Sequence, residues 1–245
     1  MGDWELLQDY AKNRSEAAFA ELVRRHLPWV YSVALRQVSD RQLAEEVAQS
    51  VFVLLARKAG ALSPKTLLGG WLFRTTRFVA SHALRAEQRR RRREENALAM
   101  SIHSPDENEI LELEPHLDEA VAALSETDRS AILLRFYEKK SLSEVGERLG
   151  LSEEAAKKRV SRAIDKMRKF LAQRGVTLVM PALAAVLAEQ AVQAVPGALA
   201  ASVLKVSLAS TSASAILPQL ARETLDAWRW AKLKLAAGVA AVSVT

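Results

Sequence analysis

Between Ser141 and Leu171 the sequence specifies two helices together with the turn that joins them, and this leaves few folds open. Ser141-Leu142-Ser143-Glu144 fits a capping box, in which the serine hydroxyl takes one orphan N–H and the glutamate returns to the serine's own. Gly150 can supply the left-handed residue that ends this short helix. Ser152 then caps a second helix, and Glu153 and Glu154 in its first turn suit the positive end of the dipole. At 100° per residue the second helix puts Ala156, Val160, Ala163, Ile164, Met167 and Leu171 on one side. Lys157, Lys158, Ser161, Arg162, Lys166 and Lys169 fall on the other, with Arg159 in the same basic run. Two helices joined by a tight Gly-Leu-Ser turn make a helix-turn-helix candidate. A basic, outward-facing second helix is what a DNA major groove requires, since lysine and arginine meet phosphates and read guanine edges. The plain alternative, a solvated face on an ordinary core helix, is weakened by the capped helix and turn that precede it.

The rest of the chain also reads as helix. Ser15 can cap a helix carrying Phe19, Leu22, Val23, Leu27, Val30, Ala34 and Leu35, which Pro28 should bend or restart. Asp40 can cap the next, with Leu43, Val47, Val51, Leu54 and Leu55 on its apolar face and Glu45, Glu46 and Gln49 elsewhere. Gly60 to Gly70, with Pro64 inside, separates it from a helix starting near Trp71. On that helix Arg74, Arg77, Ser81, Arg85, Arg89 and Arg92 recur at three- and four-residue steps. Residues 94–115 look like a linker, although Ser104-Pro105-Asp106-Glu107 has the cap, first-turn proline and early acids of a short helix. Ser125 can start a helix carrying Ile132, Leu133, Phe136 and Tyr137.

Composition narrows the function classes. Among 245 residues there is no cysteine, which excludes a disulfide framework and thiolate-ligated zinc, and the protein reads as cytosolic. Four scattered histidines and the lack of an H-E-x-x-H pattern speak against a metal centre, and no cofactor is expected. With 49% hydrophobic residues and only 9 Gly and 7 Pro, helix is favoured over strand. The expected fold is all-α: two small helical domains joined by an acidic linker, plus an apolar helical C-terminal extension. The formal net charge is +6, but its placement matters more. Cationic blocks at 71–93 and 153–169 flank Asp106, Glu107, Glu109, Glu112 and Glu114, a pattern that suits a polyanion gripped at two places. The start, Met-Gly-Asp-Trp-Glu, has no basic or apolar run, so no secretory signal is expected. An enzyme is not expected, since there is no phosphate-binding Gly loop, nucleophile elbow or metal spacing.

Several motifs together resemble a bacterial RNA polymerase sigma factor of the small, extracytoplasmic-function (ECF) type. Ala44-Glu45-Glu46-Val47-Ala48-Gln49-Ser50-Val51-Phe52 looks like the family's acidic-Gln-Phe helix of region two. Trp71-Leu72-Phe73-Arg74 and the arginine stripe look like its promoter-melting helix. Ala123 to Arg129, Leu133 to Tyr137 and the helix-turn-helix ending Lys158-Arg159-Val160-Ser161-Arg162-Ala163 look like region four. Each motif is weak alone; their order and spacing are specific. The resemblance implies region two in residues 1–94, the acidic linker in 95–115, region four in 116–173, and an extension in 174–245.

It also implies roles. Glu45, Glu46, Gln49 and Phe52 would dock on the clamp helices of the polymerase largest subunit, and region four would meet the flap. Trp71, Arg74, Arg77, Phe78 and Arg85 would hold the melted minus-ten strand, apolar surface and charge being the pairing that single strands take. For Trp71 and Phe73 a core position is the stronger reading. Lys157, Lys158, Arg159, Ser161, Arg162 and Lys166 would meet the minus-thirty-five element, Lys166 and Lys169 as phosphate contacts. Two departures stand out. Phe78 replaces a common Asn, which puts base choice in doubt, and Ala155-Ala156 stands where Thr-Val usually opens the recognition helix.

The resemblance does not explain the C-terminal quarter. From Gly175 to Leu225 the only charges are Glu189, Lys205, Arg222 and Glu223, and Pro181, Pro196 and Pro218 interrupt the run. Residues 176–220 carry more apolar surface than two or three short helices can hide among themselves, so they need a place to pack. The chain's own DNA-binding units, a second copy, an anti-sigma or other regulator, and the membrane surface are all open. Trp228, Trp230, Lys232, Lys234 and the apolar run after them resemble an interface anchor, which would add membrane association to a cytoplasmic protein. The competing function is a dimeric helix-turn-helix regulator that does not dock on polymerase.

Overall fold

A computed structural model describes residues 1–97, 113–176, 178–190, 192, 194–211 and 217–228, with no side chains described for 90–97, 113–115 and 190. The described residues form helices and turns, without strands. Helix α1 (Asp3–Asn13), which sequence patterning does not pick out, buries Leu6, Leu7 and Tyr10. Helix α2 (Glu16–Val38) starts at Ser15, whose Oγ accepts the Ala18 N–H at 3.3 Å. It runs on through Pro28. A proline inside a helix costs roughly 3 kcal/mol. Trp29, Val30, Tyr31, Val33 and Ala34 directly after it are all buried. Each large apolar side chain contributes about 1.5–3 kcal/mol on burial, so packing outweighs the lost hydrogen bond.

Asp40 caps α3 (Arg41–Lys58) by accepting the Leu43 N–H at 2.7 Å. A 3₁₀ turn at Ala59–Ala61 follows, and α4 (Leu68–Ala97) begins before the predicted Trp71. Helices α1, α3 and α4 all pack on α2, the buried central rod of this unit.

The second unit comprises α5 (Leu113–Ala123), α6 (Glu126–Ile132), a π-turn over Leu133–Tyr137, α7 (Leu142–Leu149) and α8 (Glu153–Ala172). Ser125 caps α6 as its sequence predicts, but the helix widens into the π-turn after Ile132. The capping box at Ser141 is complete: the Glu144 amide donates to Ser141 Oγ and the Ser141 amide to Glu144. Those contacts, the backbone amide first and then Lys140, hold the Glu144 carboxyl down at about 2. Gly150, at φ 66°, ends α7. Most of the acidic linker, including the candidate helix at Ser104-Pro105, lies outside the described residues.

The two units share one continuous core. At its centre Arg36 of α2 donates two hydrogen bonds to Asp118 of α5, at 3.1 and 2.9 Å, with both side chains fully buried. Tyr137 donates its hydroxyl to the same carboxylate at 3.2 Å. Its ring meets Trp29 and Phe73 edge-on, at 6.0 and 6.2 Å. Burial, then the Asp118 charge, pushes the Tyr137 hydroxyl far above the ordinary phenol value.

The C-terminal segment divides. Helix α9 (Met180–Gln190) packs on α8 and the π-turn, whereas α10 (Leu199–Ala209) crosses back onto α3 and α2. Leu199, Val203 and Ser207, four residues apart, form the buried stripe of α10. Residues 219–228 are helical and bury Leu220, Ala221 and Thr224. No helix among the described residues is long and apolar enough to cross a membrane. Trp228 packs against Trp71 and Phe78, while Trp230 and the rest of the anchor-like run lie outside the described residues.

Candidate nucleic-acid interface

The helix-turn-helix is set by close approach at Gly146. A Cβ there would lie 2.7 Å from the Leu151 carbonyl oxygen, so only glycine lets α7 meet the turn before α8. Ser152 Oγ accepts the Ala155 N–H at 3.2 Å and starts α8. Ala156, Val160, Ala163, Ile164, Met167 and Leu171 are all buried, which turns the opposite face outward. Lys157, Lys158, Ser161 and Arg162 are exposed on it. Arg159 and Lys166 differ: both reach Asp128 of α6, at 3.3 and 2.6 Å. Burial works against the Asp128 charge, but Lys166 and Ser125 outweigh it and hold the carboxyl below its usual value. Lys158, Arg159, Arg162 and Lys166 line a shallow groove of 390 Å³ with Ser125 and Asp128. Sequence patterning does not reveal Asp128 as their partner.

A second basic groove, of 650 Å³, runs along α4 and is lined by Arg74, Arg77, Phe78, Ser81 and Arg85 together with Arg129 of the second unit. Arg129 donates to the carbonyls of Val121, Ala122 and Leu124, closing the end of α5. Burial, and then the like charges of Arg74 and Arg77, lower its pKa. With Arg74, Arg77, Arg85 and Arg129 on its lining and no carboxylate among its lining residues, the groove favours an anion. Arg74 and Arg85 are exposed, and Arg77 and Phe78 half-buried. Arg74 also pairs with Glu126 at 3.2 Å. Phe73 is wholly buried and belongs to the core, whereas Trp71 is half-buried, beside Trp228.

On α3, Glu46 is exposed and Glu45 and Gln49 are half-buried. Phe52 is wholly buried and therefore a packing residue, not a surface contact. Gln49 donates to Ser202 of α10 at 2.7 Å.

Asp3, His26 and Glu138 bring ligand-type atoms within 4.8 Å of one another. Their chemistry does not suit a metal. Trp29 Nε1–H can only donate, so His26 Nδ1, 3.2 Å away, must accept, which leaves the proton on Nε2. That N–H points at Asp3, 3.0 Å away, and no lone pair remains for a cation. Burial raises the Asp3 pKa, but hydrogen bonds from His26 and Arg25 more than offset it and hold the carboxyl well below its usual range. Burial raises that of Glu138.

Comparison with known proteins finds two matching families in sequence order. Residues 22–90 match Sigma-70 region 2, and residues 120–169 match Sigma-70, region 4. The RNA polymerase sigma factor CarQ of Myxococcus xanthus is 31% identical over 165 residues, covering 66% of this chain and 94% of that one. The ECF RNA polymerase sigma factor RpoE of Cereibacter sphaeroides is 28% identical over 174 residues, covering 69% and 95%. A solved complex of the sigma factor RpoE with the anti-sigma factor NepR from Bartonella quintana is 24% identical, covering 63% of this chain and 96% of that chain, with a TM-score of 0.30. Neither family match extends past residue 169 into the C-terminal segment. With both regions present in order and a relative matched over nearly its whole length, the chain belongs to the bacterial RNA polymerase sigma factors of the ECF type.

Proposed function

We propose a division of labour for this sigma factor between two faces of its fold. The protein binds core RNA polymerase and directs promoter-specific transcription initiation. In our reading the exposed face of α8 enters the major groove of the minus-thirty-five element, with Lys157, Lys158, Ser161 and Arg162 toward the bases and backbone. Arg159 and Lys166, held by Asp128, meet phosphates along its edge. The α4 groove takes the melted minus-ten strand: Arg74, Arg77 and Arg85 follow its backbone, and Phe78 and Trp71 offer stacking surface. Helix α3 meets the polymerase clamp through Glu45, Glu46 and Gln49, whose polar groups suit charge-assisted pairing with arginine. Phe52 supports this helix from within. The units fall at residues 1–94 and 116–173, joined by the acidic linker at 95–115. Cytoplasmic residence follows from the partner, and the position of Trp228 against α4 gives membrane attachment no support.

The observation that carries this reading is the register of α8, which buries six apolar residues and leaves a cationic face open beyond a glycine-dependent turn. Elements centred ten and thirty-five base pairs upstream are ~85 Å apart at ~3.4 Å per base pair. Packed units with a shared core do not span that distance, so reading both elements requires them to part. The test mixes the full chain with core polymerase and a library of templates randomised upstream of the start, and sequences the transcripts. Discrete starts sharing two upstream elements are expected. Starts no different from those of core enzyme alone would overturn the proposal.

A further inference from the structure

We infer that the C-terminal segment is a built-in competitor, with α10 seated on the polymerase-docking helix and residues 219–228 on the strand-stacking face of α4. This rests on the division of labour proposed above and adds its regulation.

The seating on α3 has a register. Gln49 donates to Ser202 Oγ at 2.7 Å, and Arg57 donates to the Ser210 carbonyl at 2.8 Å. Each pair of anchors is eight residues apart on its own helix, so α10 runs parallel to α3 for about 12 Å, two turns. Arg57 also meets α10 at its C-terminal end, where orphan carbonyls and the negative end of the dipole favour a cation. Between the anchors Val203 and Ser207 face inward and are fully buried. Gln49, placed by its half-exposed position at the polymerase, is therefore spoken for by the chain itself. Ser207, in the buried stripe of α10, has a hydroxyl that finds no hydrogen-bond partner, which weakens the seating.

The seating on α4 follows the same logic. Trp71 and Phe78 are seven residues apart, two turns along one face. The Trp228 ring lies 6.3 Å from the first and 6.2 Å from the second, where a base of the melted strand would stack. An aromatic ring against this face of an arginine-rich helix takes the place of a base. Polymerase and the open strand must each displace this segment, whereas the α8 face needs no such displacement.

The test uses the full chain and three tail variants. Val203→Asp places a charge in the buried stripe, Ser202→Ala removes only the acceptor for Gln49, and Trp228→Ala clears the stacking face. Affinity for core polymerase is titrated for the first two, and affinity for a single-stranded minus-ten oligonucleotide for the third. Val203→Asp should bind core about tenfold tighter, the gain expected if the covered state holds about nine molecules in ten. Ser202→Ala should move in the same direction by less, and Trp228→Ala should tighten oligonucleotide binding. If the parent binds core and neither α10 variant binds it more tightly, the inference on α10 is overturned and the sigma reading stands. Unchanged oligonucleotide binding by Trp228→Ala overturns the α4 half. If neither parent nor variants bind core, the proposed function fails and the inference with it.

Discussion

Helices α3 and α8 are both amphipathic, both end-capped by a short polar side chain, and both assigned here to a large partner, yet one is covered and the other open. On α3, α10 is tied to Gln49 and Arg57 across the packed helices. On α8, Lys157, Lys158, Ser161 and Arg162 face solvent. The difference lies in the charge left over on each face. The outward side of α8 is a dense cationic surface that an apolar helix could cover only by desolvating several charges at a cost of several kcal/mol each. On α3 the side toward α10 presents the Gln49 amide and the Arg57 guanidinium, which Ser202 and the Ser210 carbonyl satisfy, while Glu46 stays exposed beyond it. The free chain thus keeps its duplex-reading face and withholds part of its docking face, the part around Gln49.

The largest effect is expected at the junction that holds the two faces in one body. Asp118→Ala leaves Arg36 buried without its carboxylate, and a broken buried pair costs about 3–5 kcal/mol. Urea unfolding should show that loss. A change under 1 kcal/mol would mean the units are not joined as described.

Next comes Gly146→Ala, which forces a methyl group onto the backbone of Leu151 and Ser152. Overpacking of this kind costs about 1–3 kcal/mol, here confined to the second unit. Duplex binding at the minus-thirty-five element should weaken while core polymerase still binds, as gel-shift and pull-down assays would show. Equal loss of both would dissolve the distinction between α8 and α3.

Arg162→Ala sharpens the open face. If Arg162 grips a guanine, its removal should cost roughly 1–3 kcal/mol on the preferred sequence and far less on others. Uniform loss would make it a phosphate contact like Lys166, whose replacement by alanine should reduce the salt slope by about one.

The smallest expected effects concern pH. The Asp128 carboxyl is depressed in the fold, so its contribution is complete above the ordinary value of 3.8 and is lost as pH falls through the lower folded value. Asp128→Asn should flatten that acid limb of the stability curve, as melting temperatures taken across that pH range would show. Glu138 has the opposite sign: its pKa is raised by burial, so the fold loses stability as pH climbs above the ordinary 4.5. Glu138→Gln should raise the melting temperature at neutral pH by about 2–4 °C, the shift that ~1 kcal/mol makes in a chain of this size. A lower melting temperature would show that its charge is needed by its neighbours.

The covered helix and the open one also differ in how far the sequence reveals them. The boundaries of α7 and α8 are legible because caps act over three residues: Ser141, Gly150 and Ser152 each satisfy a neighbour close in the chain. The six buried positions of α8 follow from the helical period alone. Contacts between distant segments leave no such period. Arg36 and Asp118 are 82 residues apart, and Gln49 and Ser202 are 153 apart. The sequence shows that residues 176–220 need a surface to pack on, but not that α8, α3 and α2 provide it. Phe52 carries the resemblance yet is buried, because a matched motif does not say which of its residues face outward. Helix α1 escapes notice because three buried apolar residues in eleven are too few for a clear stripe. Pro28 misleads in the other direction, since its local cost is outweighed by burial that only the folded chain reveals.

The absence of native cysteine allows one direct measurement of the contrast between the helices. Single thiols placed by Ser207→Cys, in the buried stripe of α10, and Ser161→Cys, on the open face of α8, can be followed by their rates of labelling with a maleimide. In the free chain the thiol at 207 should label slowly and the one at 161 fast. Adding core polymerase should speed labelling at 207 as α10 leaves α3, and adding promoter DNA should then slow it at 161. A thiol at 207 that stays protected in a transcribing complex would contradict the covered-helix account, because α10 and polymerase would then occupy α3 together.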